Sequence, residues 1–198
     1  HETLEAVGLA QYLSGIYVIC DDVYNRLSYD EGYERYAVLA QREERRLRED
    51  PCADREFHGL ASRTIVVDSF SKPWAMTGWR LGWLAAPSEL KAQIEKMHQY
   101  LVSSVPAFVQ DAAVVALGCD VEPMRETYLR RREAVCRRLG EMGLALERPA
   151  GAFYAFPSIE GLGLGSEEFC ERAIREAGVA LVPGTCFGSE GYVRLSFC

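Results

Sequence analysis

Short apolar runs alternate with amphipathic segments along the first part of the chain. Apolar residues at three-residue spacing predict a helix over residues 2–13. Runs that are apolar on both faces are typical of buried strands in a parallel sheet, and they cover residues 16–20, 64–68 and 80–86. Strands of this kind, separated by helices, indicate an α/β fold.

The segments between and after these strands predict the helices. Ser88 can cap a helix over residues 88–102, and Pro106 can begin another. An arginine-rich helix is predicted over residues 122–142, and the charged stretch 40–50 predicts a solvated helix or loop.

After Gly143 the pattern changes to shorter strands around a single helix. The helix is predicted over residues 166–177, and the strands over residues 144–147, 152–156, 179–182 and 192–197. A strand-rich unit after a set of parallel-type strands predicts a second, smaller α+β domain, with the arginine-rich helix as the bridge to it.

Composition and charge exclude several classes of protein. The chain has 198 residues, of which 48% are hydrophobic and 26% charged, so it is not a disordered, collagen-like or coiled-coil chain. No window approaches the roughly 20 apolar residues of a membrane span, and the net charge of -7 argues against a nucleic-acid partner. The 7 cysteines lack CxxC spacing, which predicts free thiols and a cytoplasmic protein.

Both ends of the sequence are unusual for a domain. The first residue is His1 and not Met, and residues 192–198 form an apolar strand pattern with nothing after it. We therefore expect the sequence to be a piece of a longer protein.

The most distinctive chemistry surrounds Lys72, which directly follows a predicted buried strand. Ser69 and Ser71 precede it, and Arg80 follows eight positions later. A lysine in partly apolar surroundings can act as an amine nucleophile, while hydroxyls and a guanidinium can hold a phosphate. Pyridoxal 5′-phosphate requires this combination of a Schiff-base lysine and a phosphate clamp. An isolated Ser-x-Ser-Lys is more often an ordinary surface lysine, but here the pattern extends over residues 69–82.

This fourteen-residue segment resembles the pyridoxal-phosphate attachment motif of class I/II aminotransferases, the fold type I family. The positions that match are Ser69, Phe70, Ser71, Lys72, Ala75, Met76, Gly78, Arg80, Leu81 and Gly82. The resemblance implies that Lys72 carries the cofactor and that Ser69, Ser71 and Arg80 bind it. It also implies an α/β fold, with the later part of a mostly parallel large domain over residues 1–135 and part of a small α+β domain over residues 136–198.

Two further segments resemble the same family, in the family's order. Asp21 and Tyr24 match an Asp-x-x-Tyr strand end, which implies that Asp21 pairs with the pyridine nitrogen and Tyr24 bonds the phenolic oxygen. The segment 192–197 matches the strand whose arginine grips the substrate α-carboxylate, which assigns that role to Arg194. Alone, Asp21 would be a solvated turn residue and Arg194 an ordinary edge-strand residue.

The resemblance implies an aminotransferase that moves an amino group between an α-amino acid and a 2-oxo acid. A lyase on the same fold and a non-catalytic effector module that binds the cofactor stay open as alternatives, because the same motifs serve them. A third alternative is that these 198 residues are an inactive piece that needs its missing portion. A homodimer is expected by resemblance only. His58 and His98 have no partners at metal-ligand spacing, so no metal site is expected.

The sequence departs from the family in two respects. The glycine-rich phosphate loop, the aromatic residue that stacks on the cofactor ring and the asparagine that bonds its phenolic oxygen are not found in these 198 residues. The charged stretch 40–54 resembles an insertion between the aspartate and lysine sites, and it leaves substrate access in question.

Overall fold

A computed structural model describes residues 2–30, 32–49 and 59–198. The chain divides into two compact units. The first comprises His1–Arg26 and Glu31–Asp120, and the second comprises Leu27–Asp30 and Val121–Cys198. The predicted domain boundary after residue 135 stays a prediction.

The first unit contains a three-stranded mixed sheet. Strand β1 (Val18–Asp21) pairs in parallel with β2 (Thr64–Ser69), and β2 pairs antiparallel with β3 (Gly82–Ala85). The prediction of a parallel-type buried strand over residues 80–86 is wrong, because all four residues of β3 are exposed and the strand runs against β2. A run of apolar residues does not specify whether a strand pairs in parallel or antiparallel. Here β3 pairs with β2, the strand directly before it in the chain, and the pairing is antiparallel.

The helices of the first unit lie close to where the periodicity predicts them. They are α1 (Glu2–Ser14), α2 (Tyr36–Glu49), α3 (Ser88–Leu101) and α4 (Ala107–Leu117). Residues 40–49 therefore belong to a helix, whereas the rest of the suspected insertion lies outside the described residues.

The start of α3 corrects one detail of the sequence analysis. Ser88 is the first helical residue and not the cap. Pro87 occupies the cap position, with an extended ψ of 146° and no side-chain hydrogen bond to the helix.

Two apolar clusters fix the sheet of the first unit. One joins β1 to α2, with Cys20, Tyr36, Leu39, Ala40 and Leu60 at its centre. The other packs the segment around Lys72 onto α4, and its buried members are Phe70, Met76, Leu81, Val109, Ala113 and Ala116. The segment with the predicted cofactor lysine is therefore anchored on both sides by buried side chains.

The second unit begins with α5 (Glu122–Glu141) and continues with α6 (Ser166–Ala177) beside a small antiparallel sheet. The strands are β4 (Tyr154–Ala155), β5 (Val182–Pro183) and β6 (Val193–Ser196), in the order β4-β6-β5. Its core is formed by Ile159, Cys170 and Val193.

The predicted strand over residues 144–147 does not form. The backbone N–H of Ser158 donates a hydrogen bond of 2.8 Å to the carbonyl of Ala145, but no ladder follows from it. Short 3₁₀ turns complete the described chain, at Asn25–Leu27, Leu60–Arg63, Thr77–Trp79, Glu160–Leu162 and Gly184–Phe187. Among the described helices, none has both the length and the apolar character that crossing a membrane requires.

Candidate active site

Asp21 ends β1 on the open face of the first sheet. Alternation along the strand buries Cys20 and exposes Ile19 and Asp21, because successive side chains point to opposite faces. Asp21 lies opposite Val67 of β2, which is also exposed. Within the described part of the chain, the carboxylate of Asp21 has no hydrogen-bond or ion-pair partner, so it is free to receive a cationic or N–H group.

The structure brings Tyr24 and Lys72 together. The ammonium Nζ of Lys72 lies 5.8 Å from the centroid of the Tyr24 ring, and both residues are half-buried. This contact arises because parallel strands end at the same edge of a sheet, so the turn after β1 and the turn after β2 are neighbours. Asp21 and Tyr24 lie at the end of β1 and in the turn after it. Ser69, Ser71 and Lys72 lie at the end of β2 and in the turn after it.

The two serines of the lysine turn contact each other. Their Oγ atoms lie 2.8 Å apart, and the backbone N–H of Ser71 donates a bond of 3.0 Å to Ser69 Oγ. Ser69 Oγ also lies 3.2 Å from the carbonyl oxygen of Leu81. Because a hydroxyl rotates freely, both side chains can turn their O–H donors to an anion without backbone movement.

Left-handed backbone marks the loop after Lys72. Ala75 has φ 53° and Arg80 has φ 55°, a region that costs a residue with a side chain about 1–2 kcal/mol. The buried cluster around Phe70 and Leu81 holds this loop closed, with the N–H of Phe70 bonded to the carbonyl of Leu81. Strained backbone of this kind is found at functional sites more often than elsewhere.

Arg80 is exposed at the end of that loop. Its Nη1 donates a hydrogen bond of 3.0 Å to the carbonyl oxygen of Thr77, and no bond joins it to Ser69 or Ser71 within the described residues. The structure thus places Arg80 on the same loop as Lys72 without direct contact to the serine pair.

A buried polar network behind these turns was not predicted from the sequence. It consists of Asp22, Asn25, Arg35 and Asp68, and the two aspartates are 9% and 6% exposed. Arg35 Nε bonds the Asp22 carboxylate at 2.8 Å, and Arg35 Nη2 lies 3.5 Å from the Asp68 carboxylate. The one signal in the sequence is Asp68 itself, a charged residue within a run that is otherwise apolar.

This network has an effect on the neighbouring thiol. Burial raises the pKa of Cys20 to about 11, and the charge of Asp22 contributes to the rise. The thiol is therefore protonated at neutral pH and is not a nucleophile.

Arg194 lies in the second unit, on β6, where its guanidinium contacts two aromatic rings. The carbon Cζ is 4.6 Å from the ring centroid of Tyr154 and 4.4 Å from that of Phe187. No hydrogen bond or ion pair to this guanidinium occurs within the described residues. The N–H donors of a guanidinium lie in its plane, in a fork that matches the two oxygens of a carboxylate.

A profile of the class I and II aminotransferases matches the chain over residues 1–198. The chain belongs to this family. The resemblance seen in the sequence and the expected α/β fold are thereby confirmed, and the family is one that generally depends on pyridoxal phosphate. The roles of individual side chains stay predictions.

Similar proteins include aminotransferases of different names. The aspartate aminotransferase of Pyrococcus abyssi is 43% identical over 187 residues, which make up 91% of this chain and 44% of that protein. The aromatic-amino-acid aminotransferase 2 of Thermococcus litoralis is 41% identical over the same shares of the two chains. The solved aromatic aminotransferase from Pyrococcus horikoshii OT3 has a TM-score of 0.82 at 40% identity, over 98% of this chain and 49% of that one. This member of the family thus spans about half the length of the proteins it matches.

Proposed function

We propose that the protein is a pyridoxal-phosphate-dependent aminotransferase that moves an amino group between an α-amino acid and a 2-oxo acid. The observation that carries the proposal is the contact between Lys72 and Tyr24 at the edge of the sheet where Asp21 ends β1. Family membership supports it, since similar proteins bear aminotransferase names.

The side chains present fit the groups of pyridoxal phosphate one by one. The Lys72 amine suits the aldehyde, the exposed carboxylate of Asp21 suits a protonated ring nitrogen, and the Tyr24 hydroxyl suits the phenolic oxygen. The hydroxyls of Ser69 and Ser71 suit the phosphate, together with the guanidinium of Arg80. When bound, this cofactor supplies an electron sink for the bond that breaks at the substrate Cα.

The residues of the first unit then have separate tasks. Lys72 takes the proton from the substrate Cα as a general base and later returns a proton as a general acid. The carboxylate of Asp21 holds a proton on the ring nitrogen. Tyr24 orients the phenolic oxygen by hydrogen bonding and contacts Lys72 through its ring.

We propose that Arg194 binds the α-carboxylate of the substrate. Contact with Tyr154 and Phe187 restrains the guanidinium before a ligand arrives, so less side-chain entropy is lost on binding. The in-plane N–H groups of the guanidinium match the two oxygens of a carboxylate.

The test replaces the proposed nucleophile and a matched surface lysine in the native protein. Lys72→Ala removes the amine and should lower amino-group transfer from aspartate or an aromatic amino acid to 2-oxoglutarate by about 10²–10⁴-fold or more. Lys91→Ala changes an exposed lysine whose Nζ is 3.9 Å from Glu95, and it should leave the rate unchanged. Borohydride reduction followed by mass spectrometry should find the cofactor on Lys72.

Three outcomes would contradict this proposal. Full activity of Lys72→Ala, or the reduced cofactor on another lysine, would remove Lys72 from the reaction. Release of ammonia and pyruvate without a 2-oxo acid acceptor would show a lyase on the same fold. Cofactor binding without turnover of any amino acid would indicate an effector module.

We further propose a homodimer in the cytoplasm. The six described cysteines are free thiols, which suits a reducing compartment. Apolar side chains on α3 and α4 are exposed in the single chain, among them Tyr100 at 90% and Phe108 at 69%, and such a surface suits a partner subunit. Light scattering of the native protein would return the mass of a monomer if the dimer were wrong.

A further inference from the structure

We propose that Asp68 is a positioning residue, whose carboxylate fixes the turn that carries Tyr24 against the turn that carries Lys72. The inference rests on the proposed function, since it concerns the geometry of that same site. Asp68 itself is 6% exposed, and its described partners are protein groups of the two turns and Arg35.

The two oxygens of the Asp68 carboxylate bond different segments of the chain. Oδ1 accepts a hydrogen bond of 2.7 Å from the backbone N–H of Ser69, at the start of the lysine turn. Oδ2 accepts a bond of 2.8 Å from the side-chain amide of Asn25, in the turn after β1. One carboxylate thus joins the two turns whose side chains meet in the site.

Asn25 transmits this constraint to Tyr24. Its backbone N–H donates a bond of 2.9 Å to the carbonyl of Asp22, and its side-chain amide donates to the same carbonyl. These two bonds close the chain around Tyr24 into a tight turn. The N–H of Asp22 bonds the carbonyl of Val67 at 2.8 Å, which extends the parallel pairing beyond the end of β1.

The charge arrangement argues against a purely stabilising role. Arg35 bridges two buried carboxylates, Asp22 at 2.8 Å and Asp68 at 3.5 Å, so two negative charges share one guanidinium. Buried ion pairs of this sort are often no more stabilising than apolar side chains of similar volume, because desolvation opposes the attraction. A role in geometry explains why a charged residue is buried near the end of β2, directly after the apolar residues 65–67.

The consequence for catalysis follows from the precision that proton transfer requires. A displacement of about 1 Å can lower a rate by about 10²-fold, and loss of a residue that orients a catalytic group commonly costs 10–100-fold. Asp68→Ala should therefore lower kcat by about 10–100-fold, with KM changed less than about threefold. Asp68→Asn keeps the acceptor for Ser69 but loses the charge-assisted bond from Asn25, and it should recover part of the lost kcat.

The experiment compares these variants with Asn25→Ala and Asp111→Ala in the native holoprotein. Asn25→Ala removes the Asn25–Asp68 hydrogen bond by deleting its donor. Asp111 is an exposed aspartate of α4, so Asp111→Ala should behave as wild type and serves as the control. Steady-state kinetics give kcat and KM, thermal unfolding gives stability, and the absorbance of the bound cofactor against pH reports its surroundings. We expect Asp68→Ala and Asn25→Ala to shift that absorbance profile, and their double variant to be no worse than either single variant.

Several results would overturn the inference. One is a folded Asp68→Ala or Asn25→Ala variant whose kcat and cofactor absorbance equal those of the wild type. Another is a loss of activity in these variants that is only proportional to the loss of folded protein. If Asp68→Ala does not fold, Asn25→Ala decides the question alone. If the wild-type protein transfers no amino group, the proposed function is overturned instead. Failure of the proposed function and failure of the inference about Asp68 are therefore distinguishable.

Discussion

At the scale of the residue, the aromatic rings around Arg194 carry the most specific chemical information. The guanidinium contacts the rings of Tyr154 and Phe187, and Phe156 lies with its ring centroid 5.9 Å from that of Phe187, edge-on to it. The sequence indicates that Arg194 lies in a strand, in the segment 192–197 that resembles the family. It does not indicate which rings surround the arginine, because these come from two segments that are separate from β6 in the sequence.

Replacing one of these rings should affect substrate affinity more than turnover. Phe187→Leu removes a cation–π contact worth about 0.5–2 kcal/mol, so KM for the amino acid should rise about 2–30-fold while kcat changes little. Leu162→Ala, at an exposed leucine of the second unit, is the control. An unchanged KM in Phe187→Leu would show that Arg194 needs no stacking for its role.

The residues predicted from the sequence and those found only in the structure differ in a physical way. Lys72, Asp21 and Tyr24 stand in local motifs, whose spacing is readable along the chain. Asp68 in β2 pairs with Asn25 in the turn after β1, and nothing in either local segment specifies the other partner. Tertiary pairing decides such bonds, and for this reason the network was missed.

At the scale of the element, helix ends were predicted better than strands. The helix α6 begins at Ser166 and ends at Ala177 as the sequence indicates, since its apolar face is clear and Gly178 adopts a left-handed φ of 67° after it. The direction of β3 and the absence of a strand at residues 144–147 were not predicted. A strand depends on a partner that is distant in sequence, whereas a helix depends on its own residues.

The start of α6 offers a test of pH dependence. The N–H of Ser166 donates a bond of 2.8 Å to the carboxylate of Glu190, and this bond holds the pKa of Glu190 below its ordinary value. Its contribution to stability is thus present above about pH 4.3, the pKa of an unfolded glutamate, and is lost as pH falls through the lower folded-state pKa.

Glu190→Gln should therefore lower the free energy of unfolding at pH 7, and its difference from wild type should shrink as pH falls below about 4. Urea unfolding across this pH range provides the measurement. Glu168→Gln changes an exposed glutamate in the first turn of the same helix and serves as the control. A difference that stays constant with pH would contradict the assignment.

At the scale of the whole molecule, the family was predictable because the lysine segment combines many specified positions in one stretch. The α/β fold was predictable from the alternation of strands and helices. The family and the fold class are both confirmed. The second unit consists of Leu27–Asp30 together with Val121–Cys198. This division of the chain could not be predicted from the sequence. It arises from contacts of Ser28 and Tyr29 with the chain near Gly151, which are distant in sequence.

The cysteines provide a test of this folded arrangement. Cys119, Cys186 and Cys198 are exposed, whereas Cys20 and Cys170 are buried, with pKa values that burial raises. Iodoacetamide at pH 8 should modify the exposed thiols first and the buried ones only after denaturant is added. Peptide mass spectrometry measures the order, and equal labelling of Cys20 and Cys119 in the native protein would contradict the fold.

The parallel pairing of β1 with β2 also has a consequence for the order of folding. Val18 lies beside Thr64, and the chain between the two strands contains helix α2, so this contact forms only after a long loop has closed. Contacts between distant residues form slowly because closing the loop lowers the entropy of the chain before any pairing compensates for it. The lysine turn can close locally against β3, whereas Tyr24 reaches Lys72 only when β1 has paired with β2. Assembly of the proposed site therefore depends on the complete sheet and not on the lysine turn alone.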